Sequence, residues 1–136
     1  MKKVSSLNPP EGKSAVALGK VLLAEDNEST QELIRILIGN MGFSLTIVNN
    51  GQEAVEIHTA EHFDLVLMDC HMPVMDGLEA TRKLRNYGIQ TPVIALTANV
   101  HEDDIQCCRE AGMNDCICKP FRQNELMKTM LKWLTG

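Results

Sequence analysis

From Lys20 onward the chain alternates short apolar runs with stretches of helical periodicity. KVLLAED, residues 20 to 26, is an apolar run that ends in acid. NESTQELIRILIGNMG follows with apolar residues at 33, 34, 37, 38 and 41, the spacing of one helix face, closed by Gly42. FSLTIV (43–48) alternates as a strand. NGQEAVEIHTAEH (50–62) is helical again, opened by Asn50-Gly51. FDLVLMD (63–69) reads as a buried strand and DGLEATRKLRN (76–86) as a helix ending before Gly88. TPVIALTA (91–98) is a strand, HEDDIQCCREAG (101–112) a helix stopped by Gly112, and NDCICK (114–119) a short strand. PFRQNELMKTMLKWL (120–134) closes the series as a helix with Pro120 in its first turn, a favoured place for proline.

Five strands alternating with five helices predict a parallel sheet covered on both faces. Right-handed crossovers restrict the topology. The expected fold class is α/β, a flavodoxin-like (βα)5 three-layer sandwich with strand order 2-1-3-4-5. Residues 1 to 19 break the pattern. They are rich in Ser, Gly, Pro and Lys, and Pro9-Pro10 blocks helix and strand alike, so they read as a flexible linker or tag remnant. Residues 20 to 136 form one domain.

Composition narrows the function classes. The apolar fraction of 44% suffices for one core, and with only 4% aromatic residues that core rests on Val, Ile, Leu, Met and Ala. A net charge of -5 argues against nonspecific binding to nucleic acid or to a membrane surface. The five cysteines are odd in number and follow no signal peptide, which points to a reducing cytosol. The longest apolar runs are too short to cross a bilayer. The expected location is cytoplasmic, either alone or as the cytoplasmic C-terminal part of a membrane-anchored protein.

Ligands of open α/β sheets bind beyond the carboxyl ends of the strands, at the point where strand order reverses. For order 2-1-3-4-5 that point lies between strands 1 and 3. Strand 1 ends in Glu25-Asp26 and strand 3 in Asp69; strand 4 ends in Thr97, with Ala98 behind it, and strand 5 in Lys119-Pro120. Three converging carboxylates repel one another unless a hard cation joins them, and Mg²⁺ suits such an oxygen-rich set. Thr97 and Lys119 can then bind the oxygens of a phosphoryl group. Asp69 can act as a carboxylate nucleophile and form an aspartyl phosphate.

VLLAEDN, DLVLMDCHMPVMDG, PVIALTA and CKPF, in this order and spacing, resemble the receiver domain of two-component response regulators, of the type attached to hybrid sensor histidine kinases. The resemblance runs from about Lys20 to the end of the chain. It implies that Asp69 is the phospho-acceptor and that Glu25, Asp26, Asp69 and the backbone carbonyl of His71 hold Mg²⁺. It implies that Thr97 binds the phosphoryl group and shifts on activation, that Ala98 follows it in the site, and that Lys119 pairs with the phosphoryl through a turn shaped by a cis Lys-Pro bond. The implied donor is a phosphohistidine on a histidine kinase or histidine phosphotransfer protein, with kinase domains in cis as one arrangement. The implied output is a partner read by the face of the fourth helix, fifth strand and fifth helix. The protein then catalyses its own phosphorylation without being a turnover enzyme, and neither nucleic acid nor direct membrane contact is expected.

One position departs from the family pattern. Receivers usually carry Tyr or Phe three residues before the lysine, where this sequence has Cys116. That change weakens the expected coupling between the phosphosite and the output face. His71, two residues past Asp69, is either a tuner of acyl-phosphate lifetime or an exposed turn residue. The cysteines lack zinc spacing and read as small buried hydrophobes. His58 and His62, four apart, read as neighbours on a solvated helix face. Three other functions compete. A degenerate receiver would act as a docking module only. An Asp-nucleophile phosphohydrolase needs a second Asp where His71 stands. A flavin or nucleotide carrier would have to cradle phosphate with the acidic AEDNEST loop.

Overall fold

The computed structural model describes residues 18–98 and 101–134. The strands are β1 (Lys20–Ala24), β2 (Ser44–Val48), β3 (Leu65–Asp69), β4 (Val93–Thr97) and β5 (Asp115–Cys118). The helices are α1 (Glu28–Met41), α2 (Gly51–Ala60), α3 (Gly77–Asn86), α4 (Glu102–Ala111) and α5 (Gln123–Leu134). All strand pairs are parallel, in the order β2-β1-β3-β4-β5. The predicted flavodoxin-like order is therefore the observed one.

The continuous apolar runs follow from burial on both faces of the sheet. Leu22, Ala24, Val66, Met68, Val93 and Ala95 pack with Ala54, Val55, Ala80, Leu84 and Cys108 of α2, α3 and α4. The alternate residues Val21, Leu23, Leu65, Leu67, Ile94 and Leu96 pack with Ile34, Leu37 and Ile38 of α1 and Leu126 and Met130 of α5. Period-two alternation thus splits each strand between two cores.

Polar side chains start the helices. Asn27, Asn50 and Asp76 each accept a bond from the N–H three residues on, satisfying a donor that the first turn leaves unpaired. Glu53 reaches back to the N–H of Asn49 at 2.7 Å. Gly42 and Gly112 end α1 and α4 in the left-handed region, with φ of 90° and 105°, where a Cβ is strained.

The strands read from 63 and 91 start two residues later, at Leu65 and Val93, and two helix boundaries move. The second helix ends at Ala60 rather than at residue 62, because Glu61 turns extended and Phe63 is drawn fully into the core. His58 and His62 therefore do not share a helix face. His58 is buried, edge-on to Phe63, while exposed His62 pairs with Asp64 at 3.0 Å. The last helix starts at Gln123, so Pro120 lies in the loop before it, behind a cis Lys119–Pro120 bond. At the other end, Leu18 and Gly19 already join the sheet edge through bonds to Gly42 and Ser44. The remainder of the 1 to 19 segment lies outside the described residues.

Candidate functional site

Strand register brings the polar strand ends to one edge of the sheet. Asp69 is the last residue of β3 and pairs with Leu96; Thr97 is the last of β4 and pairs with Cys118. Glu25 and Asp26 follow β1 directly, and Lys119 follows β5 directly. Glu25, Asp69 and Thr97 are buried, whereas Asp26 and Ala98 are exposed.

Lys119 joins the two buried carboxylates. Its Nζ is 2.8 Å from Glu25 Oε1 and 3.3 Å from Asp69 Oδ2. The other oxygens accept backbone bonds: Glu25 Oε2 from the N–H of Asn27 at 3.0 Å, and Asp69 Oδ1 from the N–H of His71 at 3.2 Å. The His71 side chain itself is exposed.

One ammonium does not offset this much buried negative charge. Burial raises the pKa of Glu25, and nearby Asp69 adds to the rise, against the lowering bonds from Lys119 and Asn27. Burial alone would lower Lys119, but its bond to Glu25 and the charges of Asp69 and Glu25 outweigh that and raise it. Glu25 is raised chiefly by its burial, and Lys119 by the two carboxylates that face it.

The donor set fits a divalent cation. Carboxylate oxygens from Glu25, Asp26 and Asp69 all lie within 4.8 Å of one another. Opposite ligands on Mg²⁺ stand about 4.2 Å apart, so small rotations suffice to bring these oxygens onto one ion. The site is negative, oxygen-rich and open on the Asp26 side, which also leaves room for water.

The loop after β3 is held from several sides. A Cβ at Gly77 would overlap the carbonyl of Asp69 and come within 2.7 Å of Met68 Cγ, so only glycine lets α3 begin this close to β3. Gly77 also donates to the carbonyl of Cys70 at 3.2 Å. Between them, the N–H of Met75 bonds to the carbonyl of Pro73 at 2.7 Å across Val74, whose φ is 68°. A β-branched residue is strained in that region, and Val74 is 82% exposed.

Gln31 is a contributor that pattern reading missed. Its side-chain amide on α1 donates to the backbone carbonyl of Glu25 and to Asn49 Oδ1, tying the acidic loop to the end of β2. No sequence spacing marks a residue six positions on as the brace of that loop. Cys116 lies half-buried on β5 and packs against the core that includes Cys108 of α4.

The response regulator receiver domain family matches residues 21–131. The chain is 39% identical over 116 residues to two-component system protein A of Emericella nidulans, covering 83% of this chain and 17% of that protein. It is 33% identical over 110 residues to the sensor histidine kinase RcsC of Escherichia coli, covering 81% of this chain and 12% of that one. The chain thus spans well under a quarter of these relatives. Among solved structures, the receiver domain of a sensor histidine kinase from Pseudomonas aeruginosa PAO1, with a magnesium ion coordinated in its active site cleft, superposes with a TM-score of 0.82 at 39% identity, over 87% of this chain and 98% of that one. The receiver domain of Ssk1 from Saccharomyces cerevisiae, solved with the histidine phosphotransfer protein Ypd1, gives 0.81 at 29% identity, over 85% and 88%. On its fold and on the family match, this chain belongs to the response regulator receiver domain family of two-component systems.

Proposed function

We propose that Asp69 is phosphorylated by a partner phosphohistidine in a Mg²⁺-dependent phosphorelay step. The observation that carries the reading is the bridging of Asp69 and buried Glu25 by Lys119, with the Asp26 carboxylate beside them. An Asp69 oxygen attacks phosphorus, the phosphorus–nitrogen bond to the donor imidazole breaks, and the imidazole takes up a proton. Glu25, Asp26, Asp69 and the carbonyl of His71 would hold the ion. Bound there, a divalent cation neutralises the carboxylates and the incoming phosphoryl oxygens. Lys119 then turns from its carboxylate partners to a phosphoryl oxygen, and Thr97, at the end of the neighbouring strand, binds another.

The donor is a histidine kinase or a histidine phosphotransfer protein. Support comes from the family, and from apolar surface beside the site. Leu33 and Ile36 of α1 are exposed, and Leu33 lines a cleft of about 290 Å³ together with Thr30, Lys119, Pro120 and Phe121. Such a surface suits a protein donor better than a small phosphate ester. Phosphorylation shifts the population of conformations on the α4–β5–α5 face, where a partner reads it. His71 at the mouth tunes the lifetime of the adduct; an unchanged lifetime in His71→Ala would remove that role.

Intact mass after incubation with Mg²⁺ and acetyl phosphate tests the central step. One phosphate adduct is expected, absent in Asp69→Asn and absent after chelation. No adduct, together with no beryllofluoride-dependent spectral change, leaves only a docking module. Sustained release of phosphate from a generic monoester would favour the phosphohydrolase instead.

A further inference from the structure

Cys70 and Cys108 are far apart in the chain and meet inside it. Their sulfurs are 3.7 Å apart, and the two residues are 4% and 7% exposed. Cys70 directly follows Asp69, and its N–H is fixed to the carbonyl of Leu96. Cys108 sits on α4. A disulfide needs the sulfurs at about 2.05 Å, so the gap must close by well under the width of one atom.

The element carrying Cys108 can supply that movement. The buried residues of α4 are Cys108 and Ala111 alone, and its N-cap, His101, makes no side-chain cap bond. A helix with so few buried contacts opens locally at low cost.

Cys108 is also reachable. It lines a cleft of about 80 Å³ on the α4–β5 side, with Arg109, Met113 and Cys116. A cleft of this size admits a molecule of hydrogen peroxide size. Cys70 is not part of that lining. A small oxidant in that cleft therefore reaches Cys108 before Cys70, and meets Cys116 beside it.

We propose that Cys108 is a peroxide-reactive thiol and Cys70 its resolving partner, forming a bridge that fastens α4 to the end of β3. The Cys108 sulfur, its proton lost to solvent, attacks one oxygen of hydrogen peroxide. The O–O bond breaks and the departing hydroxide takes up a proton, leaving water and a sulfenic acid on Cys108. The Cys70 sulfur then attacks the Cys108 sulfur, the S–O bond breaks, and a second water leaves with the Cys70 proton. Two thiols lose two electrons in total and one peroxide becomes two waters. Burial favours the protonated Cys108 thiol, so the reaction is slow and calls for excess peroxide. Its effect on signalling, holding α4 against movement, rests on the phospho-acceptor reading; the cross-link does not.

Peptide mapping of the full chain decides it. Exposed Cys107 is first changed to serine so that its neighbour can be assigned. After peroxide and alkylation, the peptide containing Cys70 is expected joined to that containing Cys108, separated again by dithiothreitol and unjoined in Cys108→Ser. Cys70→Ser is expected to accumulate a dimedone adduct on Cys108. A bridge from Cys108 to Cys116, bridges between chains only, or no bridge in folded protein at excess peroxide overturns the proposal.

Discussion

The ammonium of Lys119 lies 2.8 Å from the carboxylate of Glu25, a residue with no exposed surface. Breaking a pair of this kind leaves a buried charge without a partner. Lys119→Met is therefore expected to cost about 3 kcal/mol of stability, the low end for a buried pair because the lysine side chain is 25% exposed. A bound cation replaces the lost charge, so the cost should shrink in Mg²⁺ relative to chelator. Urea melts in both conditions measure this. An equal cost with and without Mg²⁺ would separate the lysine from the metal site.

Gly77 has no room for a side chain, whereas Gly39 on α1 has nothing within 4 Å of an added Cβ. Gly77→Ala is expected to cost about 1–3 kcal/mol through overpacking, and to slow adduct formation by displacing the Asp69 backbone. Gly39→Ala, in an exposed helix interior, is expected to gain about 0.5–1 kcal/mol and leave the adduct rate unchanged. Matched urea midpoints and acetyl-phosphate time courses check the pair. Equal effects of the two changes would mean that the close approach of α3 to β3 places nothing.

Much of this was legible in the chain. KVLLAED and DLVLMD announced themselves because a parallel strand buried on both faces must be apolar throughout, and the acids at their ends then stand out. What stayed hidden depends on distance in three dimensions. His58 read as a solvated helix residue because two-residue changes at a helix end decide whether it points out or under Phe63. Cys70 and Cys108 read as separate hydrophobes because only the packing of α4 on the sheet makes them neighbours. Pro120 suited a helix start, yet the chain needs the preceding loop to turn Lys119 back toward Glu25.

Cys116 occupies the half-buried seat between β5 and α4, bordering the same cleft as Arg109. A small side chain there leaves space that a ring would fill, so on the proposed reading a shift of Thr97 would have less to push against. Cys116→Tyr is expected to increase the phosphorylation dependence of partner binding at the α4–β5–α5 face. Binding of the cognate partner with and without beryllofluoride checks it; an unchanged ratio would acquit Cys116.

His58 gives stability a specific pH dependence. Its Nδ1 faces the Glu61 carbonyl at 3.3 Å and its Nε2 the Thr91 hydroxyl at 3.0 Å. Burial lowers its pKa, the hydrogen bonds offset this in part, and the charges of His62 and Arg85 add to the lowering. The folded state thus resists a proton that the unfolded state accepts. Stability tied to His58 is complete above the unfolded value near 6.5 and is lost as pH falls from there through the folded value. His58→Leu should lack this loss, so the stability difference between wild type and variant narrows or reverses from about pH 7.5 to about pH 5. The lowered carboxyl of Asp64 titrates below that range and does not interfere. A difference constant over the range would mean that His58 takes up its proton equally in both states.

Arg85 holds the opposite end of the sheet from the carboxylates. Its guanidinium donates to the carbonyls of Gly112, Ile89 and Thr91 and to Asn114 Oδ1, at 2.8–3.0 Å, and no carboxylate is among these partners. It thereby ties the loop after α3 to the C-cap of α4. A lysine carries the charge but not the fork, and cannot reach four acceptors in two loops at once. Arg85→Lys is expected to cost about 2–3 kcal/mol, since bonds from a charged donor contribute more than neutral ones and the abandoned carbonyls are partly buried. Because these contacts lie away from Asp69, the folded fraction should form its phosphate adduct at the wild-type rate. Urea melts combined with adduct kinetics separate the two quantities. A cost under about 0.5 kcal/mol would place Arg85 among ordinary surface residues, and a slowed adduct at full folding would show that the anchoring of α4 reaches the acceptor.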